Sequence, residues 1–171
     1  MSNSKKSGST KADIKNLEKK LGEVLGLERA AQKAVDELVA MKLLDSGDKD
    51  ETKEIQDEAN SHEEKLLEVV NQLANDEEIK IDIETVNDTA KETEKKATKI
   101  MKTYLGENPD KSEGLEFLCL AEGGEVAHYE VLDVISKKFN NRKLRNTVRS
   151  ILRQERGHLT ICLDLAREAV S

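Results

Sequence analysis

Leu144-Arg-Asn-Thr-Val148-Arg-Ser-Ile151-Leu-Arg-Gln-Glu155-Arg-Gly-His158-Leu-Thr-Ile-Cys162-Leu-Asp-Leu165-Ala-Arg-Glu-Ala169 is the stretch that decides the fold. Its residues Leu144, Val148, Ile151, Glu155, His158, Cys162, Leu165 and Ala169 alternate steps of three and four, the spacing that keeps side chains on one helix face. The stripe is apolar except at its centre, where Glu155 and His158 interrupt it. Working outward, the same pattern recurs three times. One stripe reads Leu17, Leu21, Val24, Glu28, Ala31, Val35, Leu38, and a second reads Ile55, Ala59, His62, Leu66, Val69, Leu73. A less regular one reads Leu115, Leu118, Glu122, Glu125, Tyr129, Leu132. An ionisable residue on a buried face costs several kcal/mol unless it is paired, hydrogen-bonded or metal-bound. Four helices, each interrupted near its middle, predict a polar cluster inside a helix bundle.

Composition agrees with long helices. Of 171 residues, 37% are charged and 2% aromatic, with no Trp and one Pro, which argues against a sheet protein. Hydrophobics at 36% suffice for the stripes, and the length suffices for one domain with a core. The net charge is −7, with acidic and basic residues interleaved, so no nucleic-acid partner is expected. The basic run from Lys137 and Lys138 through Arg142, Lys143, Arg145, Arg149 and Arg153 reads as a solvated face. No apolar run approaches the roughly 20 residues that span a bilayer. Residues 1–10 are polar and rich in Ser and Gly, so neither a membrane partner nor a signal peptide is expected, and the expected location is cytoplasmic. Cys119 and Cys162 are too far apart for a CxxC motif and read as buried reduced thiols.

The chain divides into a flexible tail at 1–10 and a helical bundle at 11–171. Helices are expected at about Ala12–Leu44, Lys49–Ala74, Ile83–Leu105, Lys111–Phe139 and Arg142–Ala169. Gly47 and Pro109 mark two of the breaks, and Ile79, Ile81 and Ile83 suggest a short extended link. The third helix carries a thin stripe, Val86, Ala90, Thr93, Ala97, Ile100, Tyr104, with no Glu or His on it. The fold class is therefore all-α: an antiparallel four-helix bundle of helices one, two, four and five. Helix three lies in the long crossover between the second and third bundle helices, which is ferritin-like connectivity.

Carboxylate-bridged metal pairs in such bundles take one Glu from each of two helices and Glu-x-x-His from each of the other two. Residues three apart share a face, so a carboxylate and an imidazole reach the same ions. Here Glu28 supplies the first helix, Glu125 or Glu122 the fourth, and Glu155 with His158 the fifth. The second helix offers His62, but the position three before it is Ala59, and the adjacent Glu58 points partly off the stripe. His128, three after Glu125, offers a compensating Glu-x-x-His. Counted from Asn141, Glu125 lies sixteen residues back and Glu155 fourteen on, so the two meet at one height. The candidate metal ligands are Glu28, His62, Glu125, His128, Glu155 and His158. Gly123 and Gly124 sit beside them at a cost of roughly 2 kcal/mol relative to alanines, and suggest a bulge or close helix approach.

Glu125-Val-Ala-His128-Tyr129-Glu130-Val131 resembles the His-Tyr-Glu stretch of the YciE/YciF-type ferritin-like stress proteins. Leu25-Gly-Leu-Glu28-Arg29 resembles their first helix, and Leu152-Arg-Gln-Glu155 and Leu163-Asp-Leu-Ala166 their last. The resemblance implies an antiparallel bundle, a homodimer, and a dinuclear iron or manganese centre. Ala59 departs from that family's second-helix Glu-x-x-His. The expected function is that of a ferritin-like metal-binding protein, an oxidase or peroxide-consuming stress protein. A metal-free structural or interaction bundle with a polar core is the alternative.

Overall fold

A computed structural model of the chain describes residues 9–171 as a bundle of five helices. They are α1 (Lys11–Ala40), α2 (Ser46–Ala74), α3 (Ile83–Leu105), α4 (Lys111–Ser136) and α5 (Arg142–Glu168). No strand is present among the described residues. No described helix is long and apolar enough to cross a membrane.

The helix ends follow from local chemistry. Thr10, Asp45 and Asp110 are N-caps, each in a reciprocal capping box with an Asp or Glu three residues on. Thr10 therefore belongs to the start of α1, while residues 1–8 of the expected tail lie outside the described residues. Asp45 opens α2 three residues earlier than expected, because its side chain accepts from the backbone N–H groups of Gly47 and Asp48. Helix α1 stops at Ala40 rather than Leu44. Lys42 takes a φ of 60°, and the Leu43 N–H returns to the Leu38 carbonyl at 3.0 Å. This is a Schellman closure with no glycine to announce it. Ile79 and Ile81 form no strand; both are buried in the turn between α2 and α3. Likewise Phe139, expected to end α4, is buried in the turn that follows it.

Contacts fix the helix directions. Arg29 pairs with Glu63 while Asp36 accepts from Gln56, so numbers rise along α1 as they fall along α2. The same reversal relates α4 and α5, where Asp133 pairs with Arg149 and Glu130 with Arg156. Lys143 of α5 also pairs with Glu68 of α2, and Lys138, in the turn after α4, with Asp13 of α1. Two apolar clusters form the core. One gathers Leu17, Leu21, Leu25, Leu66, Leu73, Leu132, Leu144 and Ile151; the other gathers Val35, Leu38, Ile55, Leu115, Leu118, Cys162 and Leu165. The Glu and His residues of the stripes fall between them in sequence on α1, α2, α4 and α5.

Helix α3 is more than a connection. It runs parallel to α1: Glu18 accepts from the Asp82 N–H at 2.8 Å, and Lys33 further along pairs with Glu94. Gly22 and Gly26 let the two backbones approach. A Cβ at Gly22 would stand 2.6 Å from the Val86 carbonyl oxygen, and one at Gly26 would stand 2.4 Å from that of Ala90. The buried residues of α3 include Met101 and Leu105, whereas the expected Ile100 and Tyr104 are exposed. After Ala97 the face advances by four rather than three. Gly26→Ala adds a good helix former, which on propensity alone stabilises by about 1 kcal/mol. The clash with a backbone oxygen should outweigh this and destabilise the chain by about 1–3 kcal/mol, seen as a lower denaturation midpoint. An unchanged or higher midpoint would mean that α3 does not pack this closely.

Candidate metal centre

Four helices deliver the ionisable side chains to one buried layer. Glu28 (α1), His62 (α2) and Glu155 (α5) are 0% exposed; Glu122 (α4), Glu125 (α4) and His158 (α5) are 2%, 3% and 4% exposed. Two triads form. One ligand atom from each of Glu28, His62 and Glu155 lies within 4.8 Å of the others, and the same holds for Glu122, Glu155 and His158. Glu155 is common to both. Its Oε1 is 2.7 Å from His62 Nδ1, and its Oε2 is 3.4 Å from His158 Nδ1. Glu28 Oε1 lies 3.3 Å from His62 Nδ1, and Glu122 Oε2 lies 3.5 Å from His158 Nδ1.

These approaches are close but poorly aligned as hydrogen bonds. His62 Nδ1, both oxygens of Glu155, Glu28 Oε2 and Glu122 Oε2 are buried with no hydrogen-bond partner. Such orphaned groups normally cost about 1–3 kcal/mol each or more when charged. Atoms arranged around shared cations have this pattern, because each lone pair aims at an ion rather than at its neighbour.

The outer nitrogen of each imidazole is held. His62 Nε2 lies 3.2 Å from the Gln154 side-chain oxygen, and His158 Nε2 lies 2.5 Å from Glu58 Oε2. An acceptor at Nε2 places the proton there and leaves Nδ1 free to ligate. Tyr129 donates at 2.5 Å to Glu28 Oε1, the same oxygen that faces His62. Glu58, which helical spacing turns off the stripe, thus reaches the rear of His158 instead of the triads. Ala59 leaves α2 without a carboxylate on the stripe; of the two on α4, Glu122 enters a triad, while Glu125, expected as a ligand, is buried beside the triads and belongs to neither.

His128 does not join the layer. From Glu125 the α4 stripe steps to Tyr129, and His128 is about 100° around the helix from that tyrosine. Its Nδ1 lies 3.2 Å from Lys20 Nζ and 3.4 Å from Glu23 Oε2, on the α1 side of the bundle. Burial and the Lys20 ammonium lower its pKa. The second Glu-x-x-His expected on α4 is therefore not assembled.

Electrostatics in the layer reflect crowding. Burial raises Glu28 and Glu122 to about 7 against the pairing with His62 and His158. Burial, then the charges of Glu155, Glu28 and Glu122, push Glu125 well up. Burial alone would lower both histidines, but their carboxylate neighbours prevail. His62 rises to about 9 through Glu155 and Glu28, and His158 to about 11 through Glu122 and Glu155. Glu155, despite burial, falls to about 2 between the two imidazoles. Protons here do the work that cations would otherwise do. Four carboxylates and two neutral imidazoles, once deprotonated, carry the charge that two divalent ions would balance. Carboxylate and imidazole together are donors suited to divalent first-row metals.

Cys162 is buried and Cys119 partly so, and both are free thiols. Burial raises the Cys162 thiol beyond ordinary reactivity. Comparison of the chain with protein-family models, with curated proteins and with solved structures gives no match.

Proposed function

We propose that the chain is a ferritin-like metal-binding protein whose Glu/His layer holds a dinuclear iron or manganese centre. The observation that carries this reading is the pair of buried triads hinged on Glu155, each completed by a histidine with its outer nitrogen held by an acceptor. In this reading Glu28, His62 and Glu155 would hold one ion, and Glu122, His158 and Glu155 the other. Glu125 stands beside them as a further carboxylate. Glu58, Gln154 and Tyr129 orient the ligands. Iron or manganese at such a centre supplies one-electron chemistry toward dioxygen or peroxide, the basis for an oxidase or oxidative-stress role. A cytoplasmic homodimer belongs to the same reading; the exposed Val131 and Val134 on α4 are apolar surface for a second copy.

The test is metal content. Untagged protein reconstituted anaerobically with iron(II), or with manganese(II), should retain about two ions per chain after desalting. Glu58→Ala removes the acceptor behind His158 without touching the triads. It should weaken metal affinity about 10–100-fold, the usual cost of losing such a support. Absence of stoichiometric metal in the wild-type chain under both conditions would leave the metal-free structural bundle.

A further inference from the structure

We propose that the cleft between α1, α3 and α4, open to solvent beside Ile100 and Leu120, is an organic-ligand site, the substrate pocket of the Glu/His layer. It takes a neutral, largely apolar molecule about the size of a medium-chain alcohol, with its polar end inward at Glu125. The role as substrate pocket rests on the metal-site reading; the ligand site itself does not.

The cavity measures about 290 Å³, at the lower edge of the roughly 300–1,000 Å³ of small-molecule sites. Its walls are almost wholly apolar, with Ala31 from α1, Ala97 and Met101 from α3, and Phe117, Ala121 and Gly124 from α4. Polar side chains on the walls are few, as in sites that orient an apolar ligand: Thr98 from α3, and Glu125 and His128 one turn apart on α4. Of the α4 pair, Glu125, 3% exposed, is the inward one and His128 is partly exposed. Glu125 stands against Glu155, Glu28 and Glu122. The ion pairs of the two buried histidines take up Glu28, Glu122 and Glu155 but not Glu125. It is thus the member of the layer that faces the cavity.

The glycines of α4 supply an independent argument. Helix α4 runs unbroken through Gly123 and Gly124, neither with positive φ. A Cβ at either would meet nothing within 4 Å. The expected bulge or close helix approach is therefore absent, and no neighbour in the chain requires glycine there. What glycine at 124 preserves is room in the cavity. The class of ligand follows from charge. An anion at the inner end would face Glu125 with the carboxylates of Glu155, Glu28 and Glu122 behind it, and a cation would be stripped of water by apolar walls.

The experiment uses the full chain, metal-free and manganese-loaded, with 1-octanol as probe and octanoate as the anionic control. Octanol should shift the NMR signals of the Met101, Ala97 and Ala121 methyl groups, and octanoate should bind the metal-free chain at least tenfold more weakly. Gly124→Leu should weaken octanol at least tenfold with manganese content kept and melting temperature unchanged or raised. Ala121→Phe should block in the same way if that variant does not fold. In the manganese-loaded protein the C1 protons of octanol should broaden more than its terminal methyl. Octanol affinity unchanged in both variants, or broadening strongest at the methyl end, would overturn the proposal. So would a wild-type dimer that ignores octanol and is split by Gly124→Leu, which would assign the cavity to a second copy. If octanol binds as expected but the wild-type chain retains no metal, the ligand site stands and the metal reading falls.

Discussion

Glu155→Ala should abolish metal retention altogether, reducing content from about two ions per chain to background. The carboxylate is the one group shared by both triads, with one oxygen facing each histidine. A carboxylate common to both triads cannot be lost from one of them alone. The metal-free protein should also weaken. Breaking a buried ion pair from one side costs about 3–5 kcal/mol. Glu28 and Glu122 still pair with His62 and His158 and their mutual repulsion with Glu155 is relieved, so the lower end, about 3 kcal/mol, is expected. Melts of wild type and variant, each with EDTA and with iron(II), separate the two effects. The wild type should gain several degrees with iron and the variant none. Equal gains in both proteins would show that Glu155 is not a ligand, and the dinuclear reading would have to be withdrawn.

Metal and pH should act on stability in opposite senses. Glu28 and Glu122 titrate at about 7 in the folded chain against 4.5 for the ordinary group. Their contribution to metal-free stability is full below 4.5 and is lost as pH rises through 7. The rise corresponds to about 3 kcal/mol for each of these glutamates. His62 and His158, raised from 6.5 to about 9 and about 11, contribute stability that is full below 6.5 and lost as pH climbs through those values. Glu155, lowered from 4.5 to about 2, acts oppositely, contributing above 4.5 and losing its effect as pH falls toward 2. In EDTA the melting temperature should therefore fall steadily from pH 5 to pH 9. Metal binding must displace the protons held by these groups, so the stabilisation by manganese(II) should grow over the same range. Its affinity should rise by more than tenfold per pH unit near neutrality. A metal-free melting temperature that is flat or rises over that range would contradict the crowding of carboxylates described here.

The sequence by itself carried the helices and the polar layer, because both are written in a local period. A stripe at steps of three and four reports which residues face inward whatever the neighbours are. Glu28, His62, Glu125, Glu155 and His158 were legible as inward-facing for that reason alone. Periodicity does not say what lies across the gap. Glu122 and Glu125 share one stripe, and only packing showed that both enter the layer, with Glu122 meeting His158. Glu58 looked misplaced because spacing turns it off the α2 face; the position of α5 turned that displacement into a hydrogen bond behind His158. His128 satisfied a three-residue motif, yet it faces Lys20 and Glu23.

Helix α3 shows the same division. Its thin stripe is visible in sequence, but its place along α1 depends on Gly22 and Gly26, whose role exists only once a second backbone lies against them. The adjacent glycines at 123 and 124 suggested a bulge or close approach in sequence, yet they have empty space where Gly22 and Gly26 have a carbonyl. Local spacing fixes the direction in which a side chain leaves its own helix. Which atoms it then meets is a property of the distances between helices, and those are set by the whole bundle.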